Sequence, residues 1–241
     1  MNNNTIKFTE KGNVKMIAHR GLSGLERENT NAAFVAAGQR SYYGIETDVH
    51  MTADEKYIII HDNDLKRIAD IDLEVEKTNF ATLREACLFD MDGKQRWDLR
   101  LPSLEEYIRI CKKYDKQAIL ELKNKMQPHE VLGIAKAVQD CGWFDRTTFI
   151  SFSGENLIEL RKKYPNASAQ FLVEEATDEE IQFMIDHRLD ADLCCDCVRT
   201  TVVERLHNAG LKVNCWTVDE KEYAYTMKKC GVDYITSNIL E

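Results

Sequence analysis

The stretch "GIETDVHMTADEKYIIIHD" (44–62) contains two short apolar runs separated by a polar pentapeptide. In the first run Glu46 and Asp48 are two residues apart, and strand side chains with that spacing point to the same face of a sheet. The pentapeptide "TADEK" (52–56) is too short for the crossover that joins two parallel strands. It predicts a hairpin, in which "YIIIH" (57–61) runs antiparallel to the first run.

The rest of the chain alternates short apolar runs with helical patterns. Such alternation is typical of parallel βαβ units, and eight units within 241 residues favour a closed barrel over an open sheet. We therefore predict an α/β fold in which residues 1–241 form a single (β/α)8 TIM-barrel domain. The expected strands are 14–19, 44–49, 117–122, 147–152, 168–173, 191–196, 211–217 and 232–237. The expected helices are 29–39, 103–114, 128–140, 154–163, 177–187, 199–208 and 219–229.

Residues 62–101 interrupt this alternation. They are rich in charge and contain no clear strand pattern, so we predict a small insertion after the hairpin that rejoins the barrel at Pro102. Long excursions from a compact domain usually serve a function. For "GKQRWDLR" (93–100), a lid over the site and a solvated face of the insertion remain equally open interpretations.

The composition excludes several classes of function. The chain has 41 acidic and 32 basic residues and no basic run, which argues against binding of nucleic acid or an anionic membrane. The segment "MNNNTIKFTEKGNVKM" (1–16) lacks the apolar core of a secretory signal, and no apolar run approaches the roughly 20 residues of a membrane helix. We expect a cytoplasmic protein whose eight cysteines are reduced thiols, with homo-oligomer formation left open.

Three carboxylates are expected to meet at the mouth of the barrel, because the active sites of such barrels lie at the carboxyl ends of the strands. Glu46 and Asp48 belong to the second strand, and Glu121 belongs to the third. Carboxylates this close repel one another unless one takes a proton or a cation joins them, and Mg²⁺ or Ca²⁺ suits hard oxygen ligands. We predict one such cation, although a structural ion network with Arg20 and Lys123 is the alternative.

Two basic residues and two histidines surround the same region. Arg20 and Lys123 follow adjacent strands, and cations beside a metal site indicate an anionic ligand such as phosphate. Cleavage of a phosphodiester needs a base for the attacking hydroxyl and an acid for the leaving alcohol, and histidine does both near neutral pH. We therefore predict that His19 and His61 form an acid–base pair and that Arg20 and Lys123 bind the phosphate.

Short motifs along nearly the whole chain now point to one family. Their order and spacing make the sequence resemble the glycerophosphodiester phosphodiesterase family. The motifs are "HRG" (19–21), "ENT" (28–30), "IETDVHMT" (45–52), "IIHD" (59–62), "LPSLEEYI" (101–108), "ILELK" (119–123) and "VNCWTVDE…CGVDYITSN" (213–238).

The resemblance implies a (β/α)8 barrel with a small insertion after the "HD" motif. It implies metal-dependent hydrolysis of glycerophosphodiesters to glycerol 3-phosphate and an alcohol, with the roles assigned above to the acids, the histidines and the basic residues. It also implies attack by the glycerol 2-hydroxyl, a cyclic phosphate that water opens, and an aromatic wall for glycerol at Trp216. A buried structural tryptophan is the alternative for Trp216.

Three positions depart from the family pattern, namely Arg27 before "ENT", Glu55 in the hairpin turn and Asp219 after "WTV". Two other functions stay open: action on lysophospholipids or phosphoinositides, and binding of phosphodiesters without catalysis. His50 shares a face with the carboxylates but lies beyond them, so we leave it out of the site. We interpret "CCDC" (194–197) as core packing, because no second ligand pair completes a zinc site.

Overall fold

The computed structural model describes residues 4–241, and its eight parallel strands form a closed barrel. Pairing of the first two strands closes the ring, and one short antiparallel strand is attached to the second. Every strand predicted from the sequence is present, which confirms the (β/α)8 fold and the hairpin. The strands are β1 (Lys15–Ala18), β2 (Gly44–Met51), β3 (Tyr57–Ile59), β4 (Gln117–Leu122), β5 (Thr147–Ser151), β6 (Ser168–Val173), β7 (Asp190–Cys194), β8 (Val213–Trp216) and β9 (Tyr234–Ser237).

Helices follow the parallel strands and cover the outside of the barrel. Ser103 and Glu106 form a reciprocal capping box at the start of one of them, and this pair satisfies backbone N–H groups that the first turn leaves free. Thr177 and Glu180 do the same for another. The helices are α1 (Asn31–Gly38), α2 (Lys66–Ala69), α3 (Phe80–Glu85), α4 (Leu104–Lys113), α5 (Pro128–Asp140), α6 (Gly154–Lys163), α7 (Asp178–His187), α8 (Thr200–Asn208) and α9 (Lys221–Cys230).

Apolar side chains form three separate clusters. The largest lies between the barrel and its outer helices. The barrel interior is filled by Ile17, Ile119, Ile150, Leu172 and Tyr234. The third cluster, which we call the insertion core, joins β3 to the insertion and consists of Ile58, Ile60, Leu65, Ile68, Ala69, Val75, Leu83, Ala86, Leu88, Leu99 and Leu101.

The insertion contains α2 and α3 but no strand, as its composition predicts. It returns to the barrel where the N–H of Ile59 donates to the carbonyl of Pro102 at 2.9 Å. Trp97 is 82% exposed, and no residue of 93–100 lines the main cavity described below, so this stretch is a solvent-facing side of the insertion. A hydrogen bond from the N–H of Thr52 to the carbonyl of Lys56 closes the hairpin turn. Glu55 in this turn has a left-handed backbone, with φ 57°.

The observed strand ends lie within two residues of those predicted, and the end of β7 is the difference that changes an interpretation. β7 ends at Cys194, and Cys195–Cys197 form a turn of 3₁₀ helix, so the expectation that Cys194 and Cys195 face opposite sides of one strand is wrong. The chain turns here because the strand has already reached the barrel mouth. All eight cysteines are free thiols. Within residues 4–241, no helix has both the length and the apolar character needed to cross a membrane.

Candidate active site

The three predicted carboxylates meet at the mouth of the barrel. In the parallel pairing of β2 with β4, Asp48 lies directly beside Glu121, and Glu46 is two residues earlier on the same face of β2. One oxygen from each residue falls within 4.8 Å of the others. All three side chains are buried. Strand register thus places Glu121 in the same cluster as Glu46 and Asp48; we call these three residues the acidic triad.

Burial and mutual repulsion oppose full ionisation of the triad. Burial and the neighbouring Asp48 raise the pKa of Glu46 well above its ordinary value. The same two causes raise the pKa of Glu121 to about 8. Burial also opposes ionisation of Asp48, but Lys123 and Arg20 outweigh it and hold the pKa of Asp48 below its ordinary range. A site in which only one of three acids ionises readily has a strong demand for further positive charge.

The donor set fits a hard divalent cation. All three donors are carboxylates, and oxygen ligands of this kind suit Mg²⁺ or Ca²⁺. Asp48 Oδ1 is buried and accepts no hydrogen bond, although Lys123 Nζ lies 3.4 Å away. Asn29 Nδ2 donates to Asp48 Oδ2 at 2.7 Å and so fixes the orientation of this carboxylate. The structural ion network also has support, since Lys123 Nζ lies 2.8 Å from Glu121 Oε1, yet it leaves Asp48 Oδ1 without a hydrogen bond.

The segment that follows β1 bends sharply to bring Arg20 over the triad. Arg20 has a left-handed backbone with φ 51°, and its N–H donates to Glu46 Oε2 at 2.7 Å. Its Nε lies 3.6 Å from Asp48 Oδ2. A side chain at Gly21, where φ is 77°, would place its Cβ 2.7 Å from the Cβ of Ala33, so glycine is required at this position. The "HRG" motif is therefore a turn that presents a guanidinium to the site.

The side-chain amide of Asn238 holds His19, and Asp219 fixes the orientation of that amide. Asn238 Nδ2 donates to Asp219 Oδ2 at 2.6 Å, which turns Asn238 Oδ1 towards His19 Nδ1 at 2.8 Å. An amide oxygen only accepts, so the hydrogen is assigned to His19 Nδ1 and Nε2 is left bare. Burial, aided by the positive charge of Arg20, lowers the pKa of His19 to about 4. His19 is therefore a neutral imidazole at pH 7, with Nε2 4.0 Å from Glu46 Oε2.

His61 has a different partner. Its Nδ1 lies 2.7 Å from Asp62 Oδ1, and a carboxylate there fixes the hydrogen on Nδ1 and stabilises the imidazolium. Burial nevertheless lowers the pKa of His61, against the opposing charge of Asp48. The two histidines thus differ in their supporting groups, one a neutral amide and the other a carboxylate.

A cavity of about 200 Å³ joins these groups. Its polar side is formed by His19, Arg20, His61 and two triad residues, Glu46 and Glu121. The opposite side is largely apolar and is lined by Ile150, Phe152, Leu172 and Trp216, with Glu174, Asp192 and Thr236.

Trp216 both lines this cavity and has a structural contact, since its Nε1 donates to the carbonyl of Asp192 at 3.2 Å. Its ring meets that of Phe152 edge to face, with the centroids 5.7 Å apart. Phe152 is 45% exposed. The apolar side of the cavity therefore continues to the protein surface.

Several residues of the site were not assigned from the sequence. Asp192 is buried in the cavity wall, its Oδ1 has no hydrogen-bond partner, and burial raises its pKa well above the ordinary value. The sequence offered one signal for this residue: Asp192 interrupts the apolar run "ADLCCD" (191–196). Glu28, Asn29 and Asn238 support Arg20, Asp48 and His19 through contacts that no local pattern shows.

His50 is not part of the acidic triad. Its side chain is buried, and Nδ1 lies 3.2 Å from Glu76 Oε1 of the insertion, while Nε2 lies 3.4 Å from the carbonyl oxygen of His61. His50 therefore joins the hairpin to the insertion. His129, His187 and His207 lie on helices, are exposed and do not line the cavity.

Comparison with known proteins gives a family for this arrangement. The model of the glycerophosphoryl diester phosphodiesterase family matches residues 19–240. The chain belongs to this family. A glycerophosphodiester phosphodiesterase from Caldanaerobacter subterraneus subsp. tengcongensis is 27% identical over 228 residues, which cover 92% of this chain and 93% of the relative.

Solved structures share the fold. A phosphodiesterase from Oleispira antarctica, solved in complex with the product sn-glycerol-3-phosphate, superposes with a TM-score of 0.80 at 23% identity, covering 97% of this chain and 96% of the other. A glycerophosphodiester phosphodiesterase from Parabacteroides distasonis gives a TM-score of 0.77 at 26% identity, covering 94% and 93%. Family membership makes this chain a phosphoric diester hydrolase, which confirms the predicted class of enzyme.

Proposed function

We propose that this phosphodiesterase hydrolyses small glycerophosphodiesters to glycerol 3-phosphate and an alcohol, with His19 and His61 as the acid–base pair. The observation that carries the proposal is that a single cavity is lined by both histidines, by Arg20 and by two carboxylates of the triad. The names of the relatives support the choice of substrate class.

The substrate is held by groups on both sides of the cavity. Arg20 lines the cavity and binds the phosphate through the fork of its guanidinium. Lys123 lies outside the cavity lining, with Nζ 2.8 Å from Glu121 Oε1, and adds a point charge beside the phosphate. Trp216 packs against the glycerol carbons. Glu46, Asp48 and Glu121 would hold one Mg²⁺ or Ca²⁺, which supplies Lewis-acid polarisation of the phosphoryl group.

The two histidines divide the proton transfers. His19 Nε2 accepts the proton of the glycerol 2-hydroxyl while that oxygen forms a bond to phosphorus. The bond between phosphorus and the alcohol oxygen breaks, and His61, whose imidazolium Asp62 stabilises, gives its proton to the leaving alcohol. The product of this step is a cyclic phosphate. In the second step His61 accepts a proton from water as the water oxygen attacks phosphorus, the bond between phosphorus and the 2-oxygen breaks, and His19 returns a proton to the 2-oxygen.

A hydrolysis panel tests the function. Glycerophosphodiesters of choline, ethanolamine, inositol and glycerol are incubated with the protein and Mg²⁺ or Ca²⁺, and release of glycerol 3-phosphate is measured. The matched control is a diester whose glycerol lacks the 2-hydroxyl; it should bind but not turn over. Absence of glycerol 3-phosphate from every diester would reject the substrate class, and equal turnover of the control would reject attack by the 2-hydroxyl.

Lysophospholipids are included in the panel as a second candidate class. The exposed Phe152 extends the apolar side of the cavity to the surface, where an acyl chain has room to pack. The polar side of the cavity would bind the phosphate of both substrate classes in the same way. Only a comparison of their turnover rates therefore distinguishes glycerophosphodiesters from lysophospholipids as substrates. Faster cleavage of a lysophospholipid than of its deacylated counterpart would favour this alternative.

Binding of the cation is tested without any turnover. A ligand that binds only the folded state raises the melting temperature in proportion to the logarithm of its concentration. Mg²⁺ or Ca²⁺ should therefore raise the Tm of the wild-type protein and leave that of Asp48→Asn unchanged. Asp192→Asn, a buried carboxyl of the same cavity outside the triad, is the matched control and should keep the rise. Full activity in excess chelator would contradict the cation requirement.

A further inference from the structure

Arg67 connects two carboxylates near the site, although it lies on the short helix α2 of the insertion. Nη1 of Arg67 donates to Glu28 Oε2 at 2.9 Å, and Nη2 donates to Glu28 Oε1 at 2.8 Å. On the other edge, Nε donates to Asp62 Oδ2 at 2.7 Å, and Nη2 donates to Asp62 Oδ1 at 3.1 Å. Two edges of one planar guanidinium are therefore occupied, each by a pair of carboxylate oxygens.

Each of these carboxylates also contacts a group of the proposed mechanism. Glu28 Oε1 accepts a hydrogen bond from Arg20 Nη1 at 2.8 Å. Asp62 Oδ1 lies 2.7 Å from His61 Nδ1. The guanidinium of Arg67 is thus one residue removed from the phosphate-binding arginine on one side and from the acid–base histidine on the other.

We propose that Arg67 is a positioning residue, which sets the orientation of Arg20 through Glu28 and of His61 through Asp62. The proposal rests on the roles proposed above for Arg20 and His61. It assigns a task to the insertion: by holding Arg67, it ties together two catalytic groups that lie on different loops of the barrel. Arg67 itself touches neither the substrate nor the reacting atoms.

Buried neighbours anchor the backbone around Arg67. Leu65 and Ile68, on either side of it along the chain, are buried in the insertion core. The guanidinium geometry is also specific, because a planar fork satisfies two carboxylates edge by edge, whereas the lysine ammonium is a single flexible point charge. A charge at this position is therefore not sufficient, and the shape of the group is required.

Arg96 is a matched control within the same insertion. It contacts three carboxylates, where Arg67 contacts two: Nη1 lies 3.0 Å from Glu26 and 3.1 Å from Asp90, and Nε lies 3.0 Å from Asp98. None of these three carboxylates contacts Arg20 or His61. The side chains of Arg67 and Arg96 are 46% and 30% exposed. Ion pairs of such exposure contribute little to stability, so a purely structural role predicts small and similar effects for both arginines.

The test compares Arg67→Ala, Arg67→Lys and Arg96→Ala by steady-state kinetics on a glycerophosphodiester with saturating cation. Loss of orientation should lower kcat of Arg67→Ala by about 10- to 100-fold, since small misplacement of reacting groups has effects of that size. Arg67→Lys should recover little of it, and Arg96→Ala should keep kcat within about twofold of wild type. Millimolar guanidinium added to Arg67→Ala should restore part of kcat, without a matching rise in Arg96→Ala.

A spectroscopic measurement makes the outcome independent of turnover. The side-chain Nδ1–H resonance of His61, assigned with a His61→Gln variant, should shift or broaden in Arg67→Ala and stay in place in Arg96→Ala. An unchanged resonance together with an unchanged kcat would overturn the proposal, as would equal losses in the two alanine variants or full activity in Arg67→Lys. If the wild-type protein cleaves no diester, the proposed function fails, and the His61 resonance still decides whether Arg67 orients this histidine.

Discussion

The two sides of the active site are built in different ways. The acidic triad lies on β2 and β4, two strands hydrogen-bonded along their length, and its three side chains are buried. The other side depends on the hairpin and the insertion, where Asp62 and Arg67 hold His61 through half-exposed ion pairs. Charges that repel one another are thus placed on two paired strands of the barrel wall, whereas the orientation of His61 depends on a region with its own small core.

This difference predicts that cation binding and acid–base chemistry respond separately to perturbation. Local opening of a protein follows the units that share few contacts with the rest. The insertion core fits this description, because it is an apolar cluster separate from the large core and includes Ile58 of β3. Other contacts of the insertion with the barrel, such as those of Arg67 with Glu28 and of Arg96 with Glu26, are polar. The barrel side should keep its geometry when the insertion opens.

The largest expected effect concerns the two histidines, one on each side. His19→Ala and His61→Ala should each lower kcat by about 10²- to 10⁴-fold, because each removes a positioned proton donor or acceptor. Initial rates of glycerol 3-phosphate release at saturating cation measure this. His129→Ala, on the exposed start of α5, is the control and should be neutral. Near-normal turnover of His19→Ala or of His61→Ala would reject the acid–base role of the substituted histidine.

A substitution in the insertion core should separate the two sides. Leu88→Ala removes a fully buried side chain, and such changes cost about 2–5 kcal/mol. Hydrogen exchange should quicken within residues 62–101 while β2 and β4 stay protected, and kcat should fall while the cation still raises Tm. Leu157→Ala in the large core is the comparison and should lower the global free energy of unfolding instead. Equal acceleration of exchange in the barrel strands would show that the insertion is not a separate unit.

The smallest expected effect concerns Asp192 on the barrel side. Burial raises its pKa above the ordinary value of 3.8, so the folded protein keeps this proton to higher pH than the unfolded chain does. The free energy of unfolding therefore falls as pH rises from 3.8 towards the folded pKa. Asp192→Asn does not titrate and should be more stable by about 1 kcal/mol at pH 8, a typical size for relief of a buried unpaired group.

The pH series of denaturant unfolding, measured without added cation, checks the sign. The curves of the wild type and of Asp192→Asn should converge below pH 3.8, where Asp192 is protonated in both the folded and the unfolded states. A difference that stays constant from pH 4 to pH 8 would assign the effect to packing rather than to the proton.

The strands and helices were predictable because each alternating run has to bury one face in a closed barrel. The acids of β2 were predictable from their spacing, since residues two apart share a face. Glu121 lies directly beside Asp48 because of the register between β2 and β4. The spacing of residues along one strand gives no information about that register. The contact of Arg67 with Glu28 spans 39 residues and depends on how the insertion folds back, so no local pattern reveals it. The end of β7 was misplaced because "CCDC" continues the apolar run after the strand has ended.

The left-handed backbone of Arg20 has a consequence for engineering. A residue with a side chain is strained there by about 1 kcal/mol or more, and glycine would release that strain. Arg20→Gly would also remove the guanidinium that offsets the charge of the buried Asp48, and breaking a buried ion pair costs more, about 3–5 kcal/mol. Selection for heat resistance alone would therefore keep the arginine despite its strained backbone.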